Sequence, residues 1–111
     1  MTKERETLEC DYRFEAGVPP CWNDDAVVDA LFGASRDLLG EENVKFIERR
    51  TGGEDFALFT DQIPGAILRL GCINEKKGII HPGHSPFFDI DENVLPVGVD
   101  IITRAVIDYL E

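Results

Sequence analysis

The two histidines of this chain lie three residues apart, in a segment that proline and glycine divide into short turns. Residues 78–92 read G-I-I-H-P-G-H-S-P-F-F-D-I-D-E. Imidazole is the commonest metal ligand in proteins, and a loop restrained by proline can hold such a ligand in place. His84 is therefore a candidate metal ligand, and the alternative is a solvated or hydrogen-bonded loop residue. The spacing of His81 differs from the i, i+4 geometry of helical metal pairs, which favours a loop histidine near the mouth of a site.

A glycine pair precedes acidic residues in the segment T-G-G-E-D-F, residues 51–56. Gly52 and Gly53 allow a backbone of positive φ and the close approach of a ligand. Backbone N–H groups at the start of a following helix would suit the carboxylate of a substrate. The alternative is an ordinary tight turn whose acidic residues complement the helix dipole. Glu41 and Glu42 form a second acidic pair, but they follow a predicted helix end, so we interpret them as a solvated turn without a catalytic role.

The cysteines and the net charge indicate the compartment of the protein and the classes of partner that it excludes. The three cysteines, Cys10, Cys21 and Cys72, are widely spaced and form no C-x-x-C pair, which predicts no disulfide framework and a reducing compartment, the cytoplasm. The net charge of −11 repels phosphate backbones and anionic lipids, which excludes nucleic acid and membrane surfaces as partners. The charged start and the lack of any run of about 20 apolar residues predict neither a leader nor a membrane span.

Three segments together carry a family resemblance: residues 51–56, the run G-H-S-P-F-F-D-I-D-E at residues 83–92, and N-V-L-P-V-G directly after it. They resemble the C-terminal end of the metal-dependent amidohydrolases and metallopeptidases that include aminoacylase, carboxypeptidase G and hippurate hydrolase. The similarity is greatest to the branch of hippurate hydrolase and the auxin-conjugate hydrolases. The resemblance implies that His84 is the last ligand of a two-metal site holding zinc, manganese or cobalt. It also implies that Gly52 and Gly53 bind the substrate, a small N-acyl amino acid.

The resemblance covers nearly the whole chain but only about the last quarter of a complete enzyme. Family members supply the other metal ligands and the general base on motifs resembling C-G-H-D-x-H and E-E-x-x-x-G, and neither motif occurs here. In the complete enzyme the metals would polarise an amide carbonyl and generate hydroxide from water. We therefore assign no catalytic residue, and we expect weak or no metal binding and no hydrolysis by the chain alone.

Two kinds of protein fit this incomplete site. The chain would be the C-terminal part of an amidohydrolase, as a natural truncated reading frame, a cloned fragment or one half of a split enzyme. The alternative is a non-catalytic binding or oligomerisation module derived from the same fold.

The elements that must position these residues are predicted from periodicity. Residues 7–15 alternate apolar and polar side chains as a half-exposed strand, and residues 17–20, G-V-P-P, break the pattern as a linker. A helix capped by Asn23 or Asp24 follows and ends at Gly40.

Farther along the chain, residues 44–48 and 66–70 are predicted strands, Glu54–Thr60 is a predicted short helix, and residues 71–90 form a long loop. The last helix is predicted to start at a capping box of Asp89 and Glu92. Its apolar stripe consists of Val94, Gly98, Ile101, Ile102, Ala105 and Tyr109.

The order α-β-α-β-α from Ala26 onward predicts an α/β fold. With the resemblance, it implies a partial three-layer sheet with helices, the C-terminal portion of a zinc-peptidase-like catalytic domain, in residues 21–111. Residues 1–20 would be the remnant strand and linker of a lid or dimerisation domain. Because the two later strands would lack the neighbours that a complete enzyme supplies, we expect a homo-oligomer or pairing with a complementary N-terminal fragment.

Overall fold

Three α-helices organise the part of the chain that the computed structural model describes, residues 9–111. They are α1 (Asp25–Leu39), α2 (Ala57–Thr60) and α3 (Val94–Leu110). Two single-turn 3-10 helices, Glu41–Asn43 and Glu75–Lys77, follow α1 and precede α3. The rest of the described chain consists of turns and extended segments. No helix among these residues has the length and apolarity that a membrane crossing requires.

Both ends of α1 are set by the residues that the sequence indicates. The Oδ1 atom of Asp24 accepts a hydrogen bond of 3.1 Å from the backbone N–H of Val27, which satisfies one of the free donors of the first turn. At the other end Gly40 adopts a φ of 84°, and its N–H donates to the carbonyl of Arg36 at 2.9 Å. The predicted helix between Asp24 and Gly40 is thereby confirmed.

The start of α3 differs from the predicted capping box. Asn93 is the N-cap and makes no side-chain cap hydrogen bond. Asp89 does not reach the helix, because its Oδ1 atom accepts from the N–H of the next residue, Ile90, at 2.8 Å. Instead the carbonyl of Asp91 accepts from the N–H of Val94 at 3.0 Å, and its carboxylate accepts from the N–H of Asn93 at 3.3 Å. The acidic residue that serves the helix start is therefore Asp91.

The short helix α2 begins later than predicted. The carboxylate of Glu54 accepts from the N–H of Phe56 at 3.1 Å, and the carbonyl of Glu54 accepts from the N–H of Ala57 at 3.0 Å. These bonds form a turn, so the regular helix starts at Ala57 and not at Glu54. Acidic side chains that bond the backbone locally compete with helix formation in this way.

The core lies where α1 and α3 pack against each other. Ala34 of α1 and Ile101 and Ala105 of α3 are buried, and partly buried apolar residues surround them. Leu70, from the extended segment 66–70, contacts this cluster. A Cβ atom added to Gly98 would lie 3.1 Å from the Cδ2 atom of Leu70, so the glycine lets α3 approach the segment closely.

The predicted sheet is not confirmed, since residues 9–111 contain no β-strand. Residues 44–48 and 66–70 form no ladder with each other or with another segment. Of the predicted strand at residues 7–15, the first two residues lie outside the described residues, and residues 9–15 are exposed and unpaired. A strand needs a neighbour to bond its backbone groups, and the described chain brings no such neighbour to these segments.

The described chain leaves much apolar surface uncovered. Its radius of gyration is 20.8 Å, whereas a compact domain of this length has about 13 Å. Its accessible surface is 10229 Å², against roughly 6,100 Å² expected for a folded monomer of this mass. Large apolar side chains on α2, α3 and the loops stay about half exposed or more, among them Phe46, Phe59, Ile73, Phe87, Val99, Ile102 and Leu110.

Candidate functional site

The loop that carries His84 is closed at its base by backbone hydrogen bonds. The N–H of Asp91 donates to the carbonyl of Cys72 at 3.0 Å, which joins the two ends of the loop. Inside it, Asn74 and Ile79 form an antiparallel bridge with bonds of 2.9 and 3.0 Å. Gly78 makes the connecting turn possible with a left-handed backbone of φ 73°. The histidine segment therefore begins and ends at fixed points of the backbone.

The carboxylate of Asp91 ties the same loop together through side chains. Asp91 is 8% exposed. Its Oδ2 atom accepts from the Nδ2 amide of Asn74 at 2.6 Å, and its Oδ1 atom lies 2.7 Å from the Nζ ammonium of Lys77. The hydrogen bond from Asn74, and after it the bond from Lys77, lower the pKa of Asp91 to about 2, although burial opposes the shift. Asp91 is thus ionised and fully bonded at neutral pH.

The backbone holds His84 in an unusual conformation. The N–H of Ser85 donates to the carbonyl of Pro82 at 3.2 Å, which closes a β-turn with His84 at its third position. The φ of His84 is 69°, in the left-handed region that glycine or asparagine usually occupies. Holding an L-residue there costs about 1–2 kcal/mol. Strain that the surrounding structure maintains is a reason to suspect function at a residue.

His81 lies beside an aromatic ring. Its imidazole centroid is 5.5 Å from that of Phe87, with the two planes inclined by 44°. Ser85 orders the turn between them, because its Oγ atom accepts from the N–H of Phe87 at 3.1 Å. Among residues 9–111 neither His81 nor His84 forms a side-chain hydrogen bond or ion pair, so the imidazole of His84 is exposed with both nitrogens free of protein partners.

The described residues do not assemble a metal centre. Nowhere in residues 9–111 do three or more histidine, cysteine, aspartate or glutamate side chains converge so that they could hold an ion. His84 would supply one ligand, and a two-metal site needs several more. The three cysteines are not joined by disulfides, and the Sγ atom of Cys21 lies 3.8 Å from the Oγ1 atom of Thr60. The chain by itself therefore does not fit the metal pair that the resemblance implies.

The glycine pair is exposed, and it does not use the positive φ that glycine allows. Neither Gly52 nor Gly53 has a left-handed φ. The physical reason is that the turn into α2 is made by residues 54–57, after the glycines, through helix-like hydrogen bonds. The place of a Cβ on Gly53 lies 3.9 Å from the Cγ2 atom of Val18 in the linker. Within the described chain no hydrogen bond joins the glycine pair to the loop of His84.

Two other features do not add to the site. Glu41 pairs with the guanidinium of Arg36 at 2.7 Å while both side chains remain exposed, so the acidic pair at residues 41–42 is a solvated turn. A cleft of about 330 Å³ opens between residues 22–24 and residues 60–65, away from both His84 and the glycine pair. One of its polar groups is already used, since the Oδ1 atom of Asn23 accepts from the N–H of Ile67 at 3.0 Å.

The chain is similar in sequence to known proteins, and the family match includes the loop of His84. The chain matches the model of peptidase family M20/M25/M40 over residues 6–108. It is 39% identical over 92 residues to an IAA-amino acid hydrolase of Arabidopsis thaliana, a match that covers 83% of this chain and 20% of the relative. It is 37% identical over 102 residues to a probable hydrolase of Synechocystis, covering 91% of this chain and 25% of the relative.

A thermostable carboxypeptidase of Saccharolobus solfataricus is 38% identical over 90 residues, which are 80% of this chain and 22% of that protein. The chain thus spans about a quarter or less of the length of these relatives. No solved structure matches it significantly. The family match covers almost the whole sequence, and the chain therefore belongs to peptidase family M20/M25/M40.

Proposed function

We propose that this chain provides the C-terminal part of a two-metal N-acyl amino acid amidohydrolase of the hippurate hydrolase type, with His84 as one metal ligand. The observation that carries the proposal is the left-handed backbone of His84, in a turn whose loop is closed through Asp91. A strained, exposed imidazole on a fixed loop is pre-organised for an external ligand. Family membership supplies the kind of ligand, because enzymes of this family are metal-dependent.

The other ligands and the general base would come from outside this chain. We infer that residues 21–111 belong to the catalytic domain and that residues 1–20 are the remnant strand and linker of a lid or dimerisation domain. In the complete enzyme, residues 44–48 and 66–70 would be strands of a three-layer sheet. Zinc, manganese or cobalt would bind weakly or not at all to the chain alone, since one imidazole is an incomplete site.

The relatives support our proposal for the substrate class. An IAA-amino acid hydrolase and a carboxypeptidase are among them, which supports a small substrate that contains an amino acid. The exposed N–H groups near Gly52 and Gly53 are our candidates for binding its carboxylate. The odd number of widely spaced cysteines favours a reducing compartment such as the cytoplasm.

A chimera tests the role of His84. The full chain would replace the matched 102 residues of the Synechocystis relative, and hydrolysis of N-acyl amino acids would be measured together with metal content. We expect activity that His84→Ala lowers more than about 100-fold with loss of bound metal, since removing even an outer partner of a ligand costs 10–100-fold. His81→Ala is the matched control and should keep both. Unchanged metal content in His84→Ala would contradict the proposal.

The uncovered apolar surface supports a second candidate, a non-catalytic binding or oligomerisation module. In that case the isolated chain would self-associate, and the chimera would bind no metal at His84. Hydrolysis by the isolated chain, abolished in His84→Ala, would contradict both candidates, because it would mean that residues of this chain complete the site.

A further inference from the structure

Asp91 is buried at the end of a loop, residues 72–91, whose other charged side chains are exposed. The side chain of Asp91 is 11% exposed, whereas that of its partner Lys77 is 51% exposed. Taking a charge out of water costs free energy that an ion pair repays only with good geometry, and an apolar side chain would avoid the cost. Burial therefore does not by itself account for an aspartate at this position.

The strongest bonds of the Asp91 carboxylate go to the loop and not to the helix start. The amide of Asn74 donates to it at 2.6 Å and the ammonium of Lys77 at 2.7 Å. The N–H of Asn93 donates at 3.3 Å, which is longer than the usual range of about 2.7–3.2 Å. Asn74 and Lys77 also lower the pKa of Asp91 more than Asn93 does. The carboxylate thus serves the loop more than it serves as a cap of α3.

The bond from Asn74 to Asp91 closes a ring of residues that contains His84. Asn74 is already paired with Ile79 by two backbone hydrogen bonds, of 2.9 and 3.0 Å. Because Ile79 and Asp91 flank the segment of residues 80–90, the side-chain bond of 2.6 Å brings the two ends of that segment together. His84 lies near the middle of the segment, on the part of the ring that is farthest along the chain from the closure.

The turn of His84 needs a restraint from outside itself. Its φ of 69° is unfavourable for an L-residue, and the bond that closes the turn, from the N–H of Ser85 to the carbonyl of Pro82, is 3.2 Å long. Strained backbone persists only where the surrounding structure over-determines it. Asp91 attaches the end of the segment twice, through its carboxylate and through its N–H, which donates to Cys72 at 3.0 Å. One attachment fixes a distance, and two also fix a direction.

We propose that Asp91 is a positioning residue for His84. Its carboxylate, bonded to Asn74 and Lys77, holds the ends of residues 80–90 together and thereby keeps the His84 turn in left-handed backbone. In the described chain no hydrogen bond joins Asp91 to His84, so the restraint acts through the backbone of the segment. The inference rests on the proposed function only for the use of the imidazole as a ligand.

A double-mutant cycle in the full chain tests this restraint without metal or substrate. His84→Gly is combined with Asp91→Asn, and the unfolding equilibrium constant of each variant is measured in urea. With Asp91 present, we expect His84→Gly to lower that constant by up to about fivefold, because glycine is not strained at positive φ. In Asp91→Asn the histidine turn relaxes, so the same change should lower the constant by less than about 1.5-fold. Two independent structural roles would be additive.

Asp89→Asn is the matched control, because it removes a carboxylate of the same loop that bonds only the N–H of the next residue. In that background His84→Gly should have its full wild-type effect. Lys77→Met is a milder second variant, since it keeps the Asp91 carboxylate, and it should reduce the effect of His84→Gly in part. If Asp91→Asn does not fold, the cycle with Lys77→Met decides.

The chimera described above shows whether the restraint serves the site. We expect Asp91→Asn to weaken the affinity of the chimera for zinc by about 10- to 100-fold, as the loss of a group that orients a ligand does. Asp89→Asn should leave the affinity unchanged. Unchanged zinc affinity in Asp91→Asn, in a chimera that binds zinc through His84, would overturn the positioning role.

The cycle and the chimera fail independently. Equal effects of His84→Gly with and without the Asp91 carboxylate, or no gain in either background, would overturn the restraint whatever the chimera does. A non-additive cycle beside a chimera that binds no zinc would keep the restraint and refute the proposed role of His84 as a ligand.

Discussion

Ile101 and Ile102 are neighbours on α3 with the same side chain and opposite environments, so they test whether the α1–α3 contact holds the fold. Ile101 is 1% exposed and Ile102 is 55% exposed. Replacing a fully buried isoleucine by alanine costs about 2–5 kcal/mol, because lost transfer energy and the cavity add together. The same change at Ile102 removes three carbons that are less than half buried. At about 0.8 kcal/mol per buried carbon the cost is about 1 kcal/mol, and the higher helix propensity of alanine offsets part of it.

The assay is thermal unfolding followed by the helical circular dichroism signal, which α1 and α3 dominate. We expect Ile101→Ala to lower the Tm by about 10–20 °C, and Ile102→Ala to lower it by less than about 5 °C. Equal losses at the two positions would refute the packing described here, since the side chains differ only in burial. A larger loss at Ile102 would mean that this side of α3 is already covered in the isolated chain.

The remaining predictions concern the loop of His84. Asp91 has a folded pKa of about 2 against an ordinary value of 3.8, so its contribution to stability is complete above about pH 4 and is lost as the pH falls toward about 2. Urea midpoints measured from pH 5 to pH 2.5 should fall less steeply in Asp91→Asn than in the wild type, with Lys77→Met intermediate; parallel curves for all three would contradict this. His84→Gly relieves the left-handed backbone and should raise the free energy of unfolding by up to about 1 kcal/mol, partly offset by the entropy of an unfolded glycine. His81→Gly, where φ is not positive, should lower it, and a loss in both variants would show that His84 is unstrained.

The parts of the fold that the sequence predicts are those set by local spacing. The helix from Asp24 to Gly40 follows from a cap, an apolar periodicity and a terminating glycine, and all three lie within one segment. The face of α3 that contains Ile101 and Ala105 follows from the same periodicity. Periodicity does not distinguish the half of an apolar helix that is covered from the half that is not, so the predicted apolar stripe contains the buried Ile101 and also Ile102 and Tyr109, which are exposed.

The features that cannot be predicted from the sequence depend on contacts between residues far apart in the chain. Asp91 bonds to Asn74 and Lys77, 17 and 14 residues away, and no local motif indicates either pair. The spacing of Asp89 and Glu92 fits a capping box, but Asp89 bonds its own neighbour instead. Whether residues 66–70 pair with another strand is non-local in the same sense. Their apolar pattern is typical of a strand, but it does not identify a neighbouring strand. The sequence does carry a signal for the left-handed backbone of His84. Histidine adopts this conformation more often than most residues, and His84 stands between Gly83 and Ser85 in a Pro-bounded turn.

The hydrogen bonds of Asp91 and the left-handed backbone of His84 lie in the same loop and are structurally linked. A residue in left-handed backbone relaxes unless its surroundings hold it, and the hold has to come from outside the turn itself. Here the loop ends are joined by the bond from Asp91 to Cys72, and the same Asp91 fixes Asn74 and Lys77 across the loop. Asp91 also accepts bonds from Asn93 and Val94 at the start of α3, so the helix and the base of the loop that carries His84 share one anchor. Because α3 is in turn packed on α1, the position of the His84 imidazole depends on the small core at Ala34, Ile101 and Ala105. A substitution in that core should therefore displace His84 as well as lower stability, although no core residue touches the loop turn.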